Sequence, residues 1–171
     1  MNETDLERLY SRLEKPVYNV VYRWVWDREE ARDLVQEAFV RLWKMRRRVV
    51  TETAEPLVYR IALNLARSKL RRRRILRFVT FDTLQEGPGE PGNQERDLAE
   101  SERRSRLHEA VLALPEELRQ VITLCEFTEL RYDQVAEALG IPEGTVGSRR
   151  NRALKRLRGM LSGESVAERT G

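Results

Sequence analysis

Basic side chains in residues 144–158 are the strongest chemical signal in this chain. The stretch reads GTVGSRRNRALKRLR and holds six basic side chains and no acidic one. Arginine and lysine donate hydrogen bonds to phosphate oxygens and to base edges. A basic helix that follows a short helix and a tight turn is what the DNA major groove accepts. The stretch therefore predicts a contact with double-stranded DNA.

The residues before this stretch have the spacing of a helix-turn-helix. Residues 132–139 show a helical pattern, and Ala136 is small enough to let a second helix cross it. Gly140 tolerates the positive φ that the turn needs, and Val146 can face inward. Pro142 can stand near the start of the second helix. An ordinary helical hairpin with a solvated basic face is the alternative, but the coincidence of these features favours the helix-turn-helix.

A second basic segment lies in the middle of the chain. The 171 residues carry a net charge of +4, but residues 56–81 hold eight basic side chains and no acidic one. Residues 82–102 hold seven acidic side chains and one basic. Two basic segments that flank an acidic one indicate nucleic acid contacted at two places.

The elements that would position these segments are all helical, in two small domains. Residues 1–81 are predicted to form the first domain, and residues 97–161 the second. Residues 82–96 hold three glycines and two prolines, which predicts a flexible linker. Residues 162–171 are expected to be a frayed tail. Domains of this size have modest cores, which suggests modules that dock on something larger.

Local signals place the helices of the first domain. Thr4 and Glu7 are a possible capping box, and Pro16 is expected to kink or interrupt the first helix. A second helix is expected to start at Asp27 and Glu30. A third begins near Pro56, and its inward positions are expected to be Leu57, Ile61, Leu65, Ala62 and Ala66.

The remaining composition argues against several kinds of site. With one cysteine and one histidine, the chain forms no internal disulfide and no Cys/His zinc cluster. Cys125 is expected in the core and His108 on a solvent-facing helix surface. No apolar run approaches the roughly 20 residues that span a bilayer, and no signal-peptide pattern opens the chain, so we expect a cytoplasmic protein. No catalytic constellation and no cofactor motif is found.

Three segments together resemble a bacterial RNA polymerase sigma factor of the extracytoplasmic-function (ECF) group. They are residues 33–43 (DLVQEAFVRLW), residues 56–74 (PLVYRIALNLARSKLRRRR), and residues 114–124 (LPEELRQVITL) followed by the helix-turn-helix. The resemblance covers nearly the whole folded part of the chain. It implies a protein that binds polymerase core, directs it to promoters and helps to open the duplex.

The resemblance assigns the first domain to sigma region two. Its second helix would dock on the coiled coil of the polymerase β′ subunit through Asp33, Gln36, Glu37, Phe39 and Trp43. Its third helix would meet the promoter element near minus ten, where Asn64 would hold an extruded base. Phosphate contacts would come from Arg60, Arg67, Lys69, Arg71, Arg72 and Arg73. Residues 46–55 would line the pocket for that base.

The second domain resembles sigma region four, whose recognition helix reads the minus-thirty-five element. Its candidate contacts to bases or nearby phosphates are Thr145, Ser148, Arg149 and Arg152. The candidates for phosphate or solvent contacts are Arg150, Lys155, Arg156 and Arg158. Part of this domain would also touch the polymerase β flap. Sigma factors of this group are commonly held by an anti-sigma factor, often one anchored in the membrane.

Several positions depart from the family pattern. Gly147 stands where Lys or Arg is common, and a glycine inside a helix costs about 1 kcal/mol relative to alanine. Arg150 replaces an apolar residue, Arg131 replaces a helix-capping serine, Ser68 replaces an aspartate, and Asn151 replaces a histidine. These departures affect the expected preference for minus-thirty-five sequences, and the fold assignment does not depend on them.

Two other classes of protein compete with this interpretation. A conventional DNA-binding regulator would carry a sensor with a ligand-sized pocket in place of the first domain. A DNA-acting enzyme such as a recombinase would need an activated nucleophile or carboxylates that hold a metal. Asp33 and Glu37 share one helical face, but no third carboxylate or histidine is evidently arranged with them.

Overall fold

The computed structural model describes residues 1–79 and 96–162, with side chains omitted at 77–79 and 96–100. All regular elements in these ranges are helical, which confirms the predicted all-α class. The first bundle consists of α1 (Glu3–Val25), α2 (Arg28–Lys44) and α3 (Ala54–Val79), with short 3-10 turns at Arg46–Arg48 and Thr51–Thr53. The second bundle consists of α4 (Arg96–Ala113), α5 (Glu116–Phe127), α6 (Tyr132–Leu139) and α7 (Glu143–Leu161).

The first two helices start at side chains that accept from the backbone. Asn2 caps α1, because its Oδ1 accepts from the Asp5 N–H at 2.8 Å while Asp5 Oδ2 accepts from the Asn2 N–H at 2.9 Å. The predicted Thr4 capping box is therefore wrong, since Asn2 provides an equally good cap two residues earlier. Asp27 caps α2 as predicted, and its Oδ1 accepts from the Glu30 N–H at 2.9 Å.

Pro16 does not interrupt α1, which continues from Glu3 to Val25. A proline inside a helix removes one backbone hydrogen bond and costs about 3 kcal/mol. Leu13 and Val17, on either side of it, are both buried in the same core. We attribute the continuity of the helix to this burial, because both halves of α1 pack on α2 and α3.

The core-facing stripe of α3 is shifted from the predicted one. Ala62, Leu65 and Ala66 are buried as expected, but Leu57 and Ile61 are only half-buried. The positions that fill the core are Val58, Tyr59, Ala62, Leu63, Leu65 and Ala66. The stripe is therefore broader, because α3 packs against α1 and α2 and also against α6.

The two bundles pack directly against each other. Helix α1 contacts α5, and α3 contacts α6. The buried Trp24 indole Nε1 donates to Thr123 Oγ1 at 3.3 Å, and Val121 and Leu124 join the same apolar cluster as the first bundle. The sequence predicted separate modules and gave no sign of this contact. We call it the bundle interface, and its apolar part consists of Trp24, Phe127, Val121, Leu124, Leu130 and Val135.

The second bundle contains the predicted helix-turn-helix. Gly140 ends α6 with φ 66°, the left-handed conformation that glycine adopts without steric cost. Pro142 stands immediately before α7, and Val146 is fully buried between the helices. Ala136 is half-buried on α6, which faces α7.

His108 does not face solvent, so that prediction is wrong. Its imidazole stacks on the Trp26 indole, with 3.9 Å between ring centroids. Burial, together with the nearby Arg119 cation, lowers the pKa of His108 to about 4. Cys125 packs half-buried against the core, and burial raises the pKa of its thiol to about 11.

The predicted linker at residues 82–96 and the predicted tail at 162–171 fall almost entirely outside the described residues. Within the described ranges, no helix has both the length and the apolar composition to cross a membrane.

Candidate functional site

Helix α7 presents an exposed basic stripe. Arg152, Lys155 and Arg156 are exposed, and none of them pairs with another described residue. They lie three and four positions apart, so they share one face of the helix. Thr145 and Ser148 continue this face toward the start of α7, and Ser148 Oγ donates to the Thr145 carbonyl at 3.1 Å. The exposed cations of this stripe can bind an anion such as a phosphate.

Two other arginines of α7 are held by acidic side chains of α5. Arg149 Nη2 lies 3.1 Å from Glu117 Oε2, and its side chain is 22% exposed. Arg150 Nε lies 2.6 Å from Glu126 Oε1, and this ion pair raises the pKa of Arg150. These contacts hold α7 against α5, so both guanidinium groups are already paired within the protein.

Gly147 faces Tyr132, at the start of α6. A Cβ on Gly147 would lie 3.7 Å from Tyr132 Cε2, which is an ordinary van der Waals distance. A close approach of backbone therefore does not require glycine at this position. Gly147, where the family commonly has Lys or Arg, therefore leaves one position of α7 without a side chain, on the helix that carries the basic stripe.

The predicted minus-ten residues of α3 divide into three groups. Arg71 and Arg72 are exposed, and neither pairs with another described residue. Asn64 is also exposed, and its Oδ1 accepts from Arg67 Nη1 at 3.3 Å. These three side chains can reach a nucleic acid without any rearrangement.

The second group, Lys69 and Arg73, holds α2 against α3. Lys69 Nζ lies 2.8 Å from Glu30 Oε1, and Arg73 Nη2 lies 2.5 Å from Glu30 Oε2. Arg73 also donates to the Val25 carbonyl at 2.9 Å. The Glu30 side chain is only 14% exposed. These contacts tie Lys69 and Arg73 to α2, whereas the resemblance implied that both cations bind phosphates.

The third group, Arg60 and Arg67, contacts the second bundle. Arg60 Nε donates to the Ala138 carbonyl at 2.9 Å, and its Nη2 donates to the Glu137 carbonyl. Arg67 pairs with Glu116 at the start of α5. Both guanidinium groups therefore lie in the bundle interface.

Helix α2 offers a polar surface in which Asp33, Gln36 and Glu37 are exposed. Phe39 does not belong to that surface. It is 4% exposed and packs edge-on against Tyr10, with 4.8 Å between ring centroids. Trp43 is half-buried, and Arg46 lies over its ring at 4.0 Å. Phe39 thus anchors the helix, while Asp33 and Gln36 are exposed and Glu37 accepts from Arg41 Nε at 3.0 Å.

The start of the chain contacts the segment between α2 and α3, which is predicted to line a base pocket. The Met1 amino group donates to the Arg46 carbonyl at 3.4 Å and to the Val49 carbonyl at 3.3 Å. Val49 is buried and Val50 is exposed. The start of the chain thus helps to shape this segment.

The sequence does not indicate that Glu30, Glu116 and Glu117 are acidic partners of the basic residues. Glu30 has the position of a helix-start residue, and the two glutamates after Pro115 belong to a family-like motif. Side chains in the first turn of a helix project beside the helix start, which is where the arginines of a packed neighbour can reach them. Among the described residues, no group of three acidic, histidine or cysteine side chains is arranged to hold a metal ion.

Comparison with known proteins fits this arrangement of helices. Residues 9–75 match the family described as Sigma-70 region 2, and residues 104–157 match Sigma-70, region 4. The ECF RNA polymerase sigma factor SigE of Mycolicibacterium smegmatis is 32% identical over 87% of this chain, which spans 58% of that relative's length. The RNA polymerase sigma-H factor of Pseudomonas aeruginosa is 31% identical over 85% of this chain and 80% of its own length.

A solved structure shares the fold at lower identity. The sigma factor RpoE from Bartonella quintana, solved in complex with the anti-sigma factor NepR, superposes with a TM-score of 0.69 at 19% identity. The match covers 94% of this chain and 98% of that one. Because region 2 and region 4 occur here in order and the relatives span most of the chain, it belongs to the sigma-70 family of RNA polymerase sigma factors, in its ECF group.

Proposed function

We propose that this chain recruits RNA polymerase core to promoters, positions it there and assists duplex opening. The observation that carries the proposal is the basic stripe of α7, the second helix of a helix-turn-helix, which has no acidic partner among the described residues, in a chain of this family. Polymerase performs the chemistry of transcription, and this chain supplies position and selectivity.

The stripe of α7 would read the minus-thirty-five element in the major groove. Arg152 is the strongest candidate for a base contact, because its guanidinium is exposed and unpaired among the described residues. An arginine can bind guanine O6 and N7 with two hydrogen bonds. Lys155 and Arg156 would hold phosphates. Arg149 and Arg150 can still reach phosphates, but their ion pairs with α5 make them less available for contacts with base edges.

Helix α3 would meet the minus-ten element. The Asn64 amide has both donors and an acceptor, so it can pair with the edge of an extruded base. Arg71 and Arg72 would hold the flanking phosphates. Unstacking a base costs a few kcal/mol, which these contacts and those of polymerase must offset. Lys69 and Arg73 would contribute chiefly by keeping α2 and α3 in place.

The exposed face of α2 would bind the coiled coil of the polymerase β′ subunit, with Asp33, Gln36 and Glu37 as its polar contacts. Phe39 and Trp43 would support that face from below. Part of the second bundle would touch the β flap. Asp33, Gln36 and Glu37 lie on the opposite side of α2 from its buried side chains, so binding of a partner would not disturb the core.

An anti-sigma factor is the regulatory partner that we propose, and it would keep the chain inactive in the cytoplasm or at the membrane. The support is the structural likeness to RpoE, which was solved with the anti-sigma factor NepR. Coexpression and copurification with candidate anti-sigma proteins from the same genome would identify it.

Transcription from purified components tests the proposal. Core polymerase with this chain should start specifically at promoters taken from the native genome, and core alone should not. Gln36→Ala combined with Asp33→Ala should abolish copurification with core. Lys15→Ala, an exposed change on α1, is the control and should copurify normally. Normal copurification of the double variant would refute the assignment of α2.

Replacing Arg152 by alanine tests the minus-thirty-five assignment. If Arg152 reads a base, the change should cost about 1–3 kcal/mol on the cognate promoter and less on scrambled DNA. Arg106→Ala, an exposed arginine of α4, is the matched control for the loss of one positive charge. An equal loss on all sequences would make Arg152 a phosphate contact.

A further inference from the structure

Two ion pairs connect α7 to opposite ends of α5. Glu117 lies in the first turn of α5, and its Oε2 is 3.1 Å from Arg149 Nη2. Glu126 lies in the last turn of α5, and its Oε1 is 2.6 Å from Arg150 Nε. The two acids are nine positions apart in α5, which is about 13 Å along the helix axis. Because the two arginines are adjacent in α7, the acids draw neighbouring side chains of α7 in opposite directions along α5.

Apolar packing defines the rotation of α7 about its own axis only loosely. The buried side chains of α7 are Val146, Ala153 and Leu157. Valine and alanine are small and make few van der Waals contacts, so they resist a rotation of the helix less than large side chains would. Two ion pairs that act in opposite directions along α5 resist a rotation of α7 in either sense.

A rotation of α7 would displace the side chains that are proposed to meet DNA. Ser148 and Arg152 project from the exposed face of this helix. An arginine that binds guanine O6 and N7 must keep the geometry of two hydrogen bonds at once. Binding groups of this kind tolerate displacements of roughly 0.5 Å and 10–20°. A modest rotation therefore weakens base contacts while the bundle stays folded.

The same two ion pairs contribute little to the stability of the fold. The side chains of Arg149 and Glu117 are 22% and 51% exposed, and those of Arg150 and Glu126 are 32% and 34% exposed. Ion pairs that water reaches change the free energy of unfolding only slightly. The loss of either pair should therefore affect DNA binding more than it affects unfolding.

We propose that Glu117 and Glu126 position α7 for promoter reading by fixing its rotation about its own axis. Removal of an acid from a DNA-binding surface ordinarily strengthens binding, because the repulsion of phosphates decreases. Removal of either of these two acids should instead weaken binding to the cognate promoter. This reversed sign distinguishes a positioning residue from a simple negative charge. The inference rests on the proposed role of α7 at the minus-thirty-five element.

Alanine and glutamine substitutions at each acid form a charge-matched pair. Glu117→Ala and Glu117→Gln remove the same negative charge, but glutamine retains a side-chain oxygen that can accept from Arg149. Glu126→Ala and Glu126→Gln form the second pair. Glu143→Gln is the control for the loss of an acid near the DNA, because Glu143 is exposed in the first turn of α7.

Binding is measured with holoenzyme that is assembled from core polymerase and each full-length variant. One probe is a fluorescent promoter fragment on which the parent holoenzyme starts transcription, and the other is the same fragment with its upstream element scrambled. Glu117→Ala and Glu126→Ala should bind the intact fragment about two- to fivefold more weakly than the parent, with unchanged binding to the scrambled one. Each glutamine variant should lie between its alanine partner and the parent. Circular dichroism and copurification with core establish that every variant is folded.

The inference is overturned if the alanine variants bind the intact fragment as tightly as Glu143→Gln does, because the loss of charge would then be the whole effect. An equal loss on both fragments also overturns it, since positioning affects base contacts and hence selectivity. A preference for the intact fragment that Arg152→Ala abolishes and both alanine variants retain would refute the positioning role alone. If the parent holoenzyme shows no preference between the fragments, the proposed role of α7 fails and the inference fails with it.

Discussion

The His108 imidazole lies nearly parallel to the Trp26 indole, with 3.9 Å between the ring centroids and 16° between the planes. Trp26 ends α1 in the left-handed conformation, with φ 54°, which is uncommon outside glycine. The stacked pair therefore joins the end of the first helix of one bundle to the first helix of the other. This contact has a direct consequence for stability at mildly acidic pH.

We expect the free energy of unfolding to fall as the pH drops below about 6.5. The folded protein keeps His108 neutral down to a pKa of about 4, whereas the unfolded chain takes up a proton near the usual value of 6.5. Between these values the unfolded state binds more protons, so stability declines as the pH falls and the loss is complete below about 4. Urea denaturation at a series of pH values measures it.

His108→Phe is the control for this pH dependence, because phenylalanine retains a stacking ring and does not titrate. The variant should lose less stability than the parent chain between pH 7 and pH 5, where most carboxylates stay ionised. Parallel losses in the two proteins would show that His108 does not contribute to the pH dependence.

Replacing Thr123 by valine should weaken the bundle interface. Thr123 is fully buried, and its hydroxyl accepts from Trp24 Nε1 while donating to the Arg119 carbonyl at 2.6 Å. Valine keeps the shape but leaves the indole N–H without a partner, at a cost of about 2 kcal/mol. Thr123→Ser, which keeps the hydroxyl and loses a methyl group, should cost about 1 kcal/mol. A valine variant more stable than the serine variant would contradict this account.

The same substitution at two glycines should have opposite effects. Gly140→Ala forces alanine into φ 66°, at a cost of about 1–2 kcal/mol, although no atom of the residues that the structure describes lies within 4 Å of the added Cβ. Gly147→Ala, inside α7, should stabilise the protein by about 1 kcal/mol, because its Cβ only touches Tyr132. Thermal and chemical unfolding of both variants checks the signs. A destabilised Gly147→Ala variant would mean that the helix needs glycine there for another reason.

Neutralising Glu30 should destabilise the first bundle by about 2 kcal/mol, since two charge-assisted contacts, with Lys69 and Arg73, weaken at once. Glu29→Gln is the matched control, because Glu29 is exposed in the same first turn of α2. Both changes remove one negative charge from the first turn of α2, so the difference in unfolding free energy reports mainly the contacts with α3 and the burial of Glu30. No difference would show that Lys69 and Arg73 gain nothing from the carboxylate.

The sequence predicted helix starts, helix ends and buried positions correctly where they depend on residues nearby in the chain. Asp27 starts α2, Gly140 ends α6 and Val146 fills the helix-turn-helix as expected, because each depends on neighbours within a few residues. The two wrong predictions in α1 have a similar origin. Asn2 competes with Thr4 as a cap, and tertiary burial around Pro16 overrides its local tendency to break a helix.

What the sequence could not reveal is how the two bundles meet. The partners Trp24 and Thr123 are 99 positions apart, and nothing in the spacing of either residue indicates the other. His108 was expected in solvent for the same reason, since its neighbours in sequence do not include Trp26. Among the candidate DNA contacts, the sequence could not separate arginines such as Arg71, which has no partner in the described part of the chain, from those paired with a distant acidic residue.

The position of Trp24 makes its fluorescence sensitive to the contact between the two bundles. Its indole is 1% exposed, touches Thr123 and has the Arg119 guanidinium 5.0 Å from the ring centroid. Parting the bundles would bring water to the indole N–H and remove that cation. The emission of Trp24 should then move to longer wavelength, which a variant with Trp26 and Trp43 replaced by phenylalanine would show without a label as urea is added.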